Sequence, residues 1–122
     1  MKLKLTSILG AAAIILGAFG AHALSETLTE TELASYKTGV LYHLVHSVYL
    51  LGLIVLGKNS NINLTFYLAF SGILLFSGSI YSLALDSVFG LDLSFLWPIT
   101  PLGGLLLIAS WLSLFNVDIT SN

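Results

Sequence analysis

Four long stretches without a charged side chain dominate this sequence: residues 5–25, 38–57, 59–85 and 93–117, which are 21, 20, 27 and 25 residues long. A helix rises 1.5 Å per residue, so about 20 mainly apolar residues cross the roughly 30 Å hydrocarbon core of a bilayer. Each stretch is long enough to cross once and too short to cross twice. Only 8% of the 122 residues are charged, against about a quarter in soluble domains, so a water-soluble globule is excluded. The runs are apolar throughout rather than alternating, which excludes the strands of an outer-membrane barrel. The expected fold is all-α: a four-helix transmembrane bundle in a single domain, 1–122, with spans at about 5–24, 36–57, 64–85 and 95–116.

Orientation follows from the lysines. An N-in/C-in bundle puts Lys2, Lys4 and Lys58 in the cytoplasm and only Lys37 outside, as the excess of basic residues in cytoplasmic loops requires. The first stretch also fits a secretory signal peptide, with Lys2 and Lys4 ahead of an apolar run and Ala21-His22-Ala23 as a cleavage site. Its length, greater than the usual 7 to 15 residues, and its regularly spaced glycines favour a retained helix. A net charge of -2 leaves no basic surface for nucleic acid. The absence of cysteine excludes disulfides, thiolate nucleophiles and iron–sulfur clusters.

Within the first span, Gly10, Ala13, Gly17, Gly20 and Ala21 fall on one face, a small-residue surface that lets another helix approach closely. Thr29-Glu30-Thr31-Glu32 fits a capping box opening the second helix, with Leu28, Leu33 and Tyr36 read as its membrane-facing side. In that helix Tyr36, Gly39, His43, His46 and Ser47 form a polar stripe that faces the bundle, while Leu41, Leu44, Val45, Val48 and Val55 face lipid. The third span places Tyr67, Ser71, Gly78, Tyr81 and Ser82 on one side, read as its buried face. Thr100-Pro101 reads as an N-cap followed by proline at the first helical position of the fourth helix, where Gly104 offers a further packing site. That helix is short for a full crossing, so residues 93–99 must also enter the membrane, as a kinked helix or a shielded non-helical lead-in.

No Asp, Glu, Lys or Arg lies within a predicted span. Proton- and ion-coupled carriers usually need an intramembrane carboxylate, and the first-helix glutamate of small multidrug exporters has no counterpart here. The candidate site is a polar cluster of His22, His43, Ser79, Tyr81, Ser82 and Thr100 in the outer half of the bundle, with His46 near the midplane. His43 and His46 share a helix face and with His22 could chelate a metal; a haem would need His22 paired with one of them. The simpler expectation is neutral imidazoles bonded across helices to hydroxyls or carbonyls, His46 to Ser71, Tyr81 or Ser82, with no cofactor and no metal.

Gly17-Ala-Phe-Gly-Ala-His-Ala-Leu24, Tyr42-x-x-x-His46, Phe76-Ser-Gly-Ser-Ile-Tyr81 and Thr100-Pro-Leu-Gly-Gly104 followed by Trp111 resemble, in order and over nearly the whole chain, the domain-of-unknown-function 423 family, also called uncharacterised protein family 0382. The resemblance implies a small multi-pass protein of the bacterial cytoplasmic membrane, with relatives in animal mitochondria and no established activity, substrate or cofactor. It includes His46 in the tyrosine–histidine motif, leaves His43 at a free position, and argues for a retained first segment. The functional expectation is a non-enzymatic membrane protein, an accessory or assembly subunit that docks on itself or on a larger membrane complex. The alternatives are a small channel or carrier for a neutral or lipid-like molecule and, third, a histidine-based metal or haem protein.

Overall fold

The computed structural model describes residues 1–58 and 60–118. They form α1 (Lys2–Ala21), α2 (Glu30–Leu56), α3 (Asn63–Leu85) and α4 (Ile99–Ser113), with a 3₁₀ turn before α4 (Ser94–Leu96) and another after it (Leu114–Asn116). There is no strand among the described residues. All four helical segments, counting Ser94–Asn116 as one, are long and apolar enough to cross a membrane. Successive helices pack on one another, and α3 against α4 is the most extensive pair.

Local chemistry explains where the helices start. The Thr29 hydroxyl accepts the Glu32 N–H at 3.2 Å while the Glu32 carboxylate accepts the Thr29 N–H at 3.0 Å, so the predicted capping box opens α2. Two donors that a helix N-terminus leaves unpaired are thereby satisfied. The start of α4 differs from expectation. Its first helical residue is Ile99, after Pro98, and the Thr100 hydroxyl caps nothing. That hydroxyl is drawn instead to Ser79 of α3, at 2.6 Å, a partner four residues of local sequence cannot reveal. The lead-in to α4 is a 3₁₀ turn with no buried residue, and Phe95 within it and Trp97 after it are exposed, so it is neither a kinked continuation of α4 nor shielded by the neighbouring helices.

The stripe on α2 faces the bundle, with Tyr36, Gly39, His43, His46 and Ser47 all buried, and Leu41, Leu44, Val45, Val48 and Val55 are exposed on the opposite side. One apolar core joins Leu9, Leu50, Leu53, Phe66, Ile73 and Leu107 from all four helices. A second closes the other end, where Leu28 and Tyr36 pack with Ala84, Leu16, Leu24 and Leu33. Leu28, Leu33 and Tyr36 therefore do not face lipid as expected; the turn between α1 and α2 folds them back over the bundle end.

Close packing uses partly different glycines from those expected. A Cβ on Gly103 would stand 2.2 Å from the Phe76 main-chain nitrogen, so α4 meets the backbone of α3 there. A Cβ on Gly72 would meet Leu107 at 2.7 Å, one on Gly20 the Tyr36 ring at 2.7 Å, and one on Gly39 the Ile80 side chain at 2.9 Å. Ala13 is buried, and a Cβ on Gly17 would lie 3.2 Å from Val40. Gly10 and Gly104 have room for a methyl at ordinary contact distance, Gly78 faces open space, and Ala21 is exposed. The buried line of α3 runs through Thr65, Phe66, Ala69, Gly72, Ile73 and Ser77. Tyr67 and Ser71, expected inside, line an open depression beside Leu106. Small and hydroxyl residues occur on several faces of α3, so their pattern does not single out the contact face.

Candidate functional site

The stripe on α2 turns His46 into the bundle, where it is 5% exposed. Its Nδ1 lies 2.7 Å from the Tyr42 carbonyl oxygen, one turn back on α2. The Trp111 indole N–H on α4 donates to its Nε2 at 3.1 Å. A carbonyl requires a hydrogen and an indole N–H requires a lone pair, so the two bonds together select the neutral Nδ1–H tautomer and engage both ring nitrogens. The expected partners Ser71, Tyr81 and Ser82 are not the ones it meets. Trp111 reaches His46 because it projects between α2 and α4, where it also packs on the Tyr49 ring at 4.4 Å.

The remaining members of the expected cluster separate into independent contacts. His43 Nδ1 lies 3.0 Å from the Tyr81 hydroxyl, joining α2 to α3. The other nitrogen of His43 is buried without a hydrogen-bond partner among the described residues. Ser79 pairs with Thr100 across α3 and α4. Ser82 donates to the Gly78 carbonyl of its own helix, a bond that holds no two helices together. His22 follows the last residue of α1, is exposed, and lies in a shallow depression whose other lining residues, Ile15, Ala18, Phe19 and Ala23, come from the same segment. It does not join His43 and His46. No group of three His, Asp or Glu side chains among the described residues is placed to hold a metal. A metal or haem iron at His46 would also need the lone pair that the Trp111 N–H occupies.

Two further sets of polar contacts stand out. The Ser77 hydroxyl donates to the Gly39 carbonyl at 2.7 Å, and the Tyr36 hydroxyl to the Leu16 carbonyl at 2.6 Å, fastening α3 and α1 to α2. Ser110, fully buried, donates to the Thr65 carbonyl at 2.8 Å and meets the Tyr49 hydroxyl at 3.0 Å; Ser113 donates to the Thr65 hydroxyl at 2.7 Å. This second network ties α2, α3 and α4. Its sequence signal is the three-residue spacing of Ser110 and Ser113, polar residues in a mostly aliphatic half. Cross-helix polar bonds are thus distributed along the bundle instead of lining one outer pocket.

Residues 16–104 match the family described as "Protein of unknown function (DUF423)". The chain is 40% identical over 121 residues to a UPF0382 membrane protein of Staphylococcus haemolyticus, covering 92% of this chain and 93% of the relative. It is 38% identical over 118 residues to the UPF0382 membrane protein YwdK of Bacillus subtilis, covering 90% and 92%. With the UPF0382 inner membrane protein YgdD of Escherichia coli K12 it shares 40% identity over 104 residues, covering 80% and 73%. No solved structure matches. Four apolar helices and relatives of this kind make the chain a multi-pass membrane protein, and it belongs to the DUF423 family, whose curated relatives carry the name UPF0382.

Proposed function

We propose that this protein is a non-catalytic membrane subunit that acts by contact, docking through its lipid-facing helix surfaces on a second copy or on a larger membrane complex. The observation that carries the reading is the engagement of both nitrogens of the buried His46 within the fold itself. Around it, hydroxyls on α2, α3 and α4 bond to neighbouring helices, the pattern of a scaffold. The stretches that cross the membrane hold no carboxylate or ammonium to carry protons or ions. A channel for neutral molecules fits less well, because Leu28, Tyr36 and Ala84 fill one end of the bundle.

The test is purification in a gentle detergent followed by native mass spectrometry. The expected result is a defined homo-oligomer or a second protein in stoichiometric amount. A bare monomer from its own membrane, together with solute flux when it is reconstituted in vesicles, would replace this reading with the carrier.

A further inference from the structure

Beyond docking, the face between α2 and α4 carries a feature of its own. These two helices barely approach through their backbones, and side chains bridge the gap: His46 and Tyr49 from α2, Trp111 and Ser110 from α4. Trp111 stands in the middle of the resulting cleft and lines a lobe on either side. One lobe, about 310 Å³, runs along Gly52 to Leu56, Leu114 and Val117. The other, about 340 Å³, runs past Gly104 and Ile108 to Tyr42 and Phe76. Glycine opens both: a Cβ on Gly52 would meet nothing within 4 Å, and one on Gly104 only the Phe76 ring at 3.6 Å.

We propose that this cleft binds one acyl chain of an anionic phospholipid, with the headgroup at the end of the bundle that carries Lys2, Lys4 and Lys58. Three observations select this occupant. First, the cleft lies in spans that cross hydrocarbon, and aliphatic and aromatic side chains make up nearly all of its lining, so a polar solute has little to bond. Second, the Trp111–His46 and Tyr49–Ser110 hydrogen bonds already cross the gap, so a third helix, with its side chains about 10–12 Å across, would have to break them to enter. An extended chain fits between α2 and α4. From Val117 to Gly104 the cleft runs roughly 20 Å along α4, somewhat more than one leaflet of a bilayer core about 30 Å thick. Third, the lobe beyond Leu56 and Val117 ends beside Gly57 and Lys58, and Lys2 and Lys58 share a polar depression at that end. Lys2, Lys4 and Lys58 outnumber Asp118 there, whereas Glu26, Glu30, Glu32, Asp86 and Asp92 against Lys37 make the opposite end acidic. An anionic headgroup is favoured at the first end and repelled at the second.

Trp111 reports on its own site. Trp97→Phe leaves Trp111 as the sole tryptophan, and phospholipid with brominated acyl chains quenches its fluorescence on contact. In detergent micelles, brominated phosphatidylglycerol should quench in a saturable manner at about one lipid per protein, and Lys58→Gln should weaken its apparent affinity about fivefold, the effect of one basic residue at a membrane surface. Gly52→Leu and Gly104→Leu, which fill the two lobes from opposite sides of Trp111, should each remove the saturable component while melting temperature and helix content stay near those of the parent. Quenching that merely follows bulk lipid content, unchanged in the filled variants, would overturn the site and leave only lipid at the outer surface. Saturable quenching of equal strength with brominated phosphatidylcholine would overturn the assignment to an anionic lipid. Neither outcome bears on the oligomer or partner that tests the docking role.

Discussion

His46 illustrates how much one side chain can specify. Its imidazole accepts from one helix and donates to a carbonyl of its own, and both bonds sit where water is scarce. Glutamine can also donate and accept at that position, so His46→Gln should retain most of the stability. His46→Leu strands the Trp111 N–H and should cost about 1 kcal/mol more, within the range for intramembrane hydrogen bonds. Unfolding in SDS–detergent mixtures measures both, and combining His46→Leu with Trp111→Phe should cost less than the sum of the single changes. Outside the membrane, the Ser94 hydroxyl and N–H bond to the Asp92 carboxylate and hold its pKa below the ordinary value of 3.8. A depressed pKa means that the bond stabilises the turn before α4 at pH values above the ordinary Asp range and loses that effect as pH falls through the depressed value. Ser94→Ala should therefore move the Asp92 titration upward, read by NMR of its carboxyl carbon.

Helix contacts in this bundle depend on where backbones touch. Gly103 leaves no room for a methyl against the backbone of α3, and backbone cannot rotate aside as a side chain can. Gly103→Ala should push α4 off α3 and cost about 3 kcal/mol, at the upper end for overpacking. Gly78, with open space around its missing Cβ, should accept alanine within about 0.5 kcal/mol. Thermal unfolding in detergent separates the two. A common effect would mean that α3 and α4 do not meet at Gly103. The contrast also explains a mismatch between pattern and contact: Gly72 and Gly103 sit among other small residues, and their spacing alone does not distinguish them from Gly78.

The arrangement of charges sets the bundle in the bilayer. Lys2 and Lys58 share one end, and the capping box with Glu30 and Glu32 lies at the other. The preference of basic residues for the cytoplasm predicts an orientation with the Lys2 and Lys58 end inside. Because the chain has no cysteine, single cysteines can report on this directly. In whole cells an impermeant thiol reagent should label Glu30→Cys and spare Asn61→Cys. Labelling in the opposite sense would invert the orientation, and with it the leaflet that supplies the lipid proposed for the cleft between α2 and α4.

Membrane solvation makes the architecture legible in the linear chain. Backbone polar groups in hydrocarbon must pair within their own helix, so four uncharged runs of sufficient length dictate four spanning helices without reference to any partner. The same logic made the α2 stripe readable, because His43, His46 and Ser47 avoid lipid whichever helix lies opposite. Reading failed where the outcome depends on two helices at once. Which hydroxyl or indole meets His46, which glycine lies against backbone, and whether His22 joins the other histidines depend on relative rotation and on the crossing point of α3 and α4. Neither is encoded in the period of a single helix. Leu28 and Leu33 show the same limit from another side: their apolar character says that they leave water, but a protein interior and a lipid tail reward that equally, and only the fold of the turn after α1 chose the interior.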